Sequence, residues 1–214
     1  WPIPITLDIN DELVDTLETN EEIALRDKEG FVIAILTIDD IWTPDKEKEA
    51  QQIYQTTDIF HPGVNTLLNE THSTYVGGTL KGIHYPKHYD YPQLRHTPQE
   101  LRESFDNWGW KDIIAFQTRN PMHRAHIELT KRALNEKNAK LLIHPVVGLT
   151  KPGDVNHYTR VRCYKHIMNK YPENMAALSL LPLAMRMAGP KEALWHAIIR
   201  KNYGCNYFIV GRDH

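Results

Sequence analysis

From Asp112 onward the chain alternates short apolar runs with helical patterns, and this alternation constrains the fold more than any other feature. The apolar runs cover 112–117, 140–147, 175–182 and 206–210, with helical patterns over about 122–136, 157–170 and 190–203 between them. Strand, helix, strand at this spacing means right-handed crossovers and a parallel sheet. The third helix has matched boundary signals: Gly189 before Pro190, Glu192 in its first turn and Gly204 just past its end. Upstream, Thr97-Pro98-Gln99-Glu100 is a capping box with proline at the first helical position. It predicts a helix from Pro98 to about Trp108, with Gly109 as its stop.

Parallel strands bring the segments after them to one edge of the sheet. After the first strand come Thr118, Arg119 and Asn120; after the second, Gly148, Lys151, Gly153 and Asp154; after the third, Arg186 and Gly189. Gly211, Arg212, Asp213 and His214 follow the fourth. Any one of these segments alone reads as a solvated loop. Four together predict an anion site, for a polyphosphate and a second oxyanion, at the carboxyl ends of the strands.

The densest of the four is Gln117-Thr118-Arg119-Asn120-Pro121-Met122-His123-Arg124-Ala125-His126. Arg119 can hold an oxyanion through a bidentate fork, and Gln117, Thr118 and Asn120 add neutral donors. Pro121 is read as the start of the next helix, with Met122, Ala125, Leu129 and Ala133 as its apolar side. His123 and His126 are three apart, so both project from the first turn and can donate to charge that builds up on a phosphate. The bland reading makes His126 a satisfied core histidine. A metal reading of the pair lacks ligands, because no nearby cysteine or carboxylate completes a set; no metal site is assigned to the chain. There is no GxxxxGK[ST] element, so the anion site is not a P-loop, and no GxSxG or Ser-His-Asp element is present.

Residues 1–95 read as mostly β. Ile3, Ile5, Leu7 and Ile9 alternate as a strand. Residues 22–26 and 31–36 flank Asp27-Lys28-Glu29-Gly30, a hairpin signal. Residues 45–54 form a short exposed helix with a solvated charge run. Residues 73–80 form another strand, where Gly77-Gly78 marks a bulge or close approach. A β-barrel-like module fits, followed by a Tyr-, Pro- and His-rich linker at 84–96. Thr159, Arg160 and Arg162 fall on the second helix; their default reading is surface, and Arg160 can reach the edge of the site only from the first turn.

Composition narrows the function classes. A net charge of −2 over 214 residues gives no electrostatic case for a nucleic acid or a membrane as partner. No apolar run is long enough to span a bilayer. Cys163 and Cys205 form no CxxC and read as buried thiols in a reducing, cytoplasmic compartment. The chain opens without methionine and closes directly after an apolar run, so a piece of a longer protein is expected.

The segment QTRNPMHRAH resembles the signature QxRNPxHxxH of the ATP sulfurylase (sulfate adenylyltransferase) family. Three further stretches resemble the same family: residues 147–154, residues 181–189 and Gly211-Arg212-Asp213-His214. The resemblance implies a PUA-like domain over 1–95 and a Rossmann-like nucleotidyltransferase domain over 96–214, an α/β parallel-sheet fold. The PUA-like part lacks the basic, aromatic-studded surface that RNA binding needs. The implied reaction is transfer of the AMP group of MgATP to sulfate in sulfate assimilation, with Mg2+ arriving on the nucleotide. Carried over by motif, Gln117 and Arg119 bind sulfate, and Thr118, Arg119, Asn120, His123 and His126 are catalytic. Gln117, Asn120, His123, His126, Gly211, Arg212, Asp213 and His214 contact ATP. The resemblance also implies homo-oligomeric assembly of the full-length protein. In the family a small sulfate-binding residue and an ISGT-like segment follow the position of His214. The alternatives are a nucleotidyltransferase of the same superfamily with another acceptor, and a binding module that has lost activity; the intact Arg119, Asn120, His123 and His126 weigh against the second.

Overall fold

The computed structural model describes residues 1–148 and 153–211. Two compact units divide at Tyr89 and Asp90. In the first, β1 (Asp8–Ile9), α1 (Asp11–Val14), β2 (Glu22–Arg26), β3 (Val32–Trp42), α2 (Lys46–Tyr54), α3 (Pro62–Asn65), a π-helical turn (Thr66–Glu70) and β4 (Thr74–Gly82) follow in order. The strands form an antiparallel sheet in the order β1-β4-β3-β2, with β1 and β2 at its edges. Ile9, Leu36, Ile38 and Val76 make its core.

The β2–β3 hairpin turns as its sequence predicts. Asp27 accepts from the N–H groups of Glu29 and Phe31 at 2.9 Å each, and Gly30 takes φ +89°. The register of β3 against β4 slips between Ile38 and Asp40, opposite Gly77 and Gly78. A Cβ on Gly78 would lie 2.0 Å from the Thr37 carbonyl oxygen, so only glycine permits this approach. The long first strand is not formed: β1 has two residues, Ile5 is exposed, and only Ile3 and Ile9 of the alternating set are buried. Pro2 and Pro4 supply no N–H donors to a ladder, which ends pairing before Leu7. Helix α2 is solvated on its charged side but buries Ala50 and Ile53.

The second unit begins with a 3₁₀ turn (Pro92–Leu94) and continues α4 (Pro98–Asn107), β5 (Ile113–Phe116), α5 (Arg124–Lys137), β6 (Lys140–Ile143), α6 (His157–Met168), β7 (Ala176–Leu178), α7 (Pro190–Asn202) and β8 (Tyr207–Ile209). The Thr97–Glu100 capping box is present with both reciprocal bonds. All pairings in the sheet are parallel, in the order β7-β6-β5-β8.

Side chains alternate between two cores. Ile114, Phe116, Leu141 and Ile143 pack with Leu134 of α5 and Val161, Tyr164 and Ile167 of α6. Ile113, Ala115 and Leu142 pack with Leu101 and Phe105 of α4 and with Tyr203 and Cys205 at the end of α7. Helices therefore cover both sheet faces. The chain winds outward from β5 through β6 to β7, then returns to place β8 on the other side of β5. That reversal leaves a crevice at the carboxyl ends of β5 and β8, the position where open α/β sheets bind ligands.

Two apolar runs divide. Strand β6 stops at Ile143 and β7 at Leu178, and pairing resumes as a single bridge between Val146 and Leu181. Pro145 has no N–H to give, though its carbonyl accepts from Leu181 at 2.9 Å. Among the described residues no helix is long and apolar enough to cross a membrane.

Candidate active site

Strand β5 ends at Phe116, and the chain then turns through residues 117–120 before α5. Thr118 is buried, and its hydroxyl donates to the Asn120 carbonyl at 2.8 Å and accepts from the Asn120 N–H at 3.1 Å. This side chain folds the turn. Gln117 points its amide at the Met185 sulfur, 3.4 Å away.

Arg119 is half-buried, and its Nη1 holds both oxygens of Asp154 at 2.7 Å. Asp154 lies on the segment after β6, so the ion pair joins the first two loops of the sheet edge. The Nε and Nη2 atoms of Arg119 have no hydrogen-bond partner among the described residues. That leaves a two-donor edge suited to an oxyanion.

Helix α5 starts at Arg124, two residues later than the pattern over about 122–136 predicts, and His123 is its N-cap. The His123 and His126 rings lie 4.1 Å apart between centroids, so the structure brings the pair together. His126 also leans on Phe116 at 5.7 Å. Its Nδ1 accepts the His123 backbone N–H at 3.4 Å, which leaves the ring proton of the neutral form on Nε2. Burial, and then the charge of His123, lower the His126 pKa below the ordinary imidazole value.

The buried face of α5 differs from the predicted stripe. Thr130 and Leu134 are buried and Ile127 packs against the core, whereas Ala125 and Leu129 are exposed. The first two turns overhang the crevice, where Leu129 lines a cavity instead of the core.

That cavity has a volume of about 560 Å³. Gln117, Thr118, Arg119 and Asn120 line it from the β5 loop, with His126 from α5. Met185 and Met187 come from the segment after β7, Glu192 from the first turn of α7, Ile209 from β8 and Gly211 from just beyond it. Three of the four predicted segments thus meet there, and the fourth reaches it through Asp154. Lys151, Arg212, Asp213 and His214 lie outside the described residues.

Glu192 is a group that sequence reasoning assigned only to helix capping. It is fully buried and accepts from the backbone N–H groups of Arg186 at 2.7 Å and Ala188 at 3.2 Å. Burial alone would raise its carboxyl, but His196 and the two N–H donors outweigh that and hold it below its ordinary value. It straps the loop that carries Met185 and Met187 to the start of α7. Arg186 itself is exposed, and only its backbone is engaged. Of the two free thiols, Cys205 is buried, with burial pushing it up to about 12, while Cys163 is half-exposed, contrary to expectation.

An anion turn, a histidine pair at a helix start and a switch-point cavity narrow the class to nucleotide-handling α/β proteins. The ATP-sulfurylase family model matches residues 92–214, and a PUA-like domain model matches residues 1–85. The chain belongs to the ATP-sulfurylase family. Its second unit is the Rossmann-like nucleotidyltransferase type of domain, preceded by a mostly β PUA-like domain. The sulfate adenylyltransferase of Schizosaccharomyces pombe is 54% identical over 216 residues, covering 100% of this chain and 44% of that protein. That of Saccharomyces cerevisiae is 56% identical over 214 residues, covering 100% and 42%. The chain thus spans less than half the length of the curated relatives it matches. Among solved structures, the hexameric APS kinase from Thiobacillus denitrificans is similar with TM-score 0.79 and 34% identity, over 100% of this chain and 38% of that one.

Proposed function

We propose that the intact protein is a sulfate adenylyltransferase, transferring the AMP group of MgATP to sulfate to give adenosine 5′-phosphosulfate and pyrophosphate. The observation that carries this reading is Arg119, whose Nε–Nη2 edge has no hydrogen-bond partner among the described residues and lies beside the switch-point cavity of an ATP-sulfurylase-family domain. A sulfate oxygen attacks the α-phosphorus. The new bond is S–O–P; the bond to the bridging oxygen of the β-phosphate breaks, and pyrophosphate leaves with the electron pair. Sulfate is ionised at neutral pH, so the chain need supply no general base. Its task is placement and charge stabilisation.

In this reading Gln117 and Arg119 hold sulfate, with Asp154 fixing the guanidinium. Thr118 shapes the turn. Asn120, His123 and His126 face the phosphates, His126 through its Nε2–H. Gly211, Arg212, Asp213 and His214 complete the ATP contacts. Among the described residues no group of three or more His, Cys, Asp or Glu side chains is placed to hold a metal. Mg2+ would enter on the nucleotide, held by its phosphates. Homo-oligomeric assembly belongs to the same reading and is supported by the hexameric state of the APS kinase. A cytoplasmic location is supported by the two free thiols.

The test is pyrophosphate release from MgATP by the intact protein with and without sulfate. Release that depends on sulfate is expected. Equal release in both conditions sinks the reading.

A further inference from the structure

The floor of the anion turn is built by α6. Arg160 is 2% exposed and Tyr164 is fully buried, one helical turn apart on the face against the sheet. Nη1 of Arg160 donates to the carbonyl of Arg119 at 2.9 Å and to that of Val146 at 3.1 Å. The Tyr164 hydroxyl donates to the carbonyl of Asn120 at 2.8 Å. Burial pushes this phenol up to about 12, so it keeps its proton at neutral pH. Two consecutive carbonyls of the turn are thus tied to side chains that do not line the cavity. A carbonyl oxygen facing an anion repels it, so drawing both toward α6 removes two negative dipole ends from the site.

Arg160 has a second consequence. It forms no ion pair among the described residues, and its buried Nε has no hydrogen-bond partner. Among the described residues its charge is offset by these backbone carbonyl dipoles and by the neighbouring Tyr164 phenol. Burying a guanidinium without a carboxylate is costly, and an uncompensated charge in a low-dielectric floor acts strongly on its neighbours.

We infer that Arg160 and Tyr164 are positioning residues for sulfate: they orient the Arg119–Asn120 turn from below, and the charge of Arg160 raises the affinity of that turn for a dianion. This rests on the reading of the turn as the sulfate site.

Three variants of the intact protein test it: Tyr164→Phe, Arg160→Lys and Arg160→Met. Steady-state kinetics in sulfate and in ATP are measured beside thermal melts. Arg160→Met removes charge and both bonds, and the KM for sulfate should rise about ten- to a hundredfold, with the KM for ATP moving less. Arg160→Lys keeps the charge but not the reach to two carbonyls, and should fall between Arg160→Met and the wild type. Tyr164→Phe should lower kcat/KM for sulfate about fivefold or more. Sulfate kinetics within twofold of wild type in both Tyr164→Phe and Arg160→Lys overturn the inference, whether or not melting falls. Should Arg160→Met fail to fold, those two variants decide. A wild type that shows no sulfate-dependent pyrophosphate release defeats the functional reading, and this inference with it. An active wild type with unaffected variants defeats this inference alone.

Discussion

Replacing His126 with Asn separates a role in the transition state from a role in the core. The ring is half-buried against Phe116, and Nδ1 already accepts from the His123 N–H. The Asn side-chain oxygen can take over that acceptor role, but nothing replaces the Nε2–H on the far side of the ring. Loss of one donor aimed at developing charge typically lowers kcat about a hundredfold, roughly 2.7 kcal/mol in the barrier. The cost in stability is the partial contact with Phe116, about 1 kcal/mol or less, because the site is neither sealed nor tightly packed. Single-turnover rates, ATP binding by calorimetry and thermal melts on the same preparation give the three quantities. The expected result is a rate near one hundredth of wild type, ATP affinity changed by less than tenfold, and a melting temperature lowered by only a few degrees. A sharp fall in melting temperature with a single-turnover rate near wild type would refute the reasoning and make His126 a core histidine.

Two further predictions concern charge. Arg119→Lys keeps the positive charge but cannot hold Asp154 on one nitrogen while offering a planar two-donor edge to an anion; sulfate kcat/KM should fall about a hundredfold, and a near-normal value removes Arg119 as the clamp. His144 and His196 are fully buried, and burial holds both below the ordinary imidazole value, His144 well below it. The unfolded chain therefore binds more protons, so stability is fully present above about pH 6.5 and is lost as pH falls, by up to about 1.4 kcal/mol per pH unit for each ring. The ring nitrogens of His144 have no hydrogen-bond partner among the described residues, so His144→Leu should flatten this slope by up to one proton in urea melts between pH 5 and 7. Equal slopes for the variant and the wild type would show that His144 does not contribute.

The sheet, its crossovers and the strand-to-helix turn after β5 were legible because each is written in neighbouring residues. The turn packs Gln117, Arg119, Asn120, His123 and His126 into ten positions between a strand and a helix. What misled was context supplied from elsewhere in the chain. Arg160 reads as surface by default, with reach to the site edge only from the first turn; it does sit in the first turn of α6, but in register with Val161, Tyr164 and Ile167 on the buried face. Its acceptors, the carbonyls of Arg119 and Val146, lie 41 and 14 residues away. A charged residue at a core register position was the available signal. Ala125 and Leu129 were placed in the core because apolar period was taken as burial, whereas the start of α5 overhangs a ligand cavity. The alternation of Ile3 to Ile9 suggested a long strand, but Pro2 and Pro4 had already removed the donors it needed. The strap of Glu192 on Arg186 and Ala188 was within reach of the sequence as a carboxylate in a first helical turn. Its total burial was not, because that depends on the packing of α7 against the sheet.

The central claim is that a sulfate oxygen displaces pyrophosphate from the α-phosphorus of ATP, and isotope transfer tests it most directly. The intact protein is given MgATP and sulfate carrying four 18O atoms, and the products are weighed by mass spectrometry. AMP joined to a sulfate that retains all four labels is expected, with unlabelled pyrophosphate in equal amount. Label in the pyrophosphate, or release of ADP in place of pyrophosphate, would contradict it.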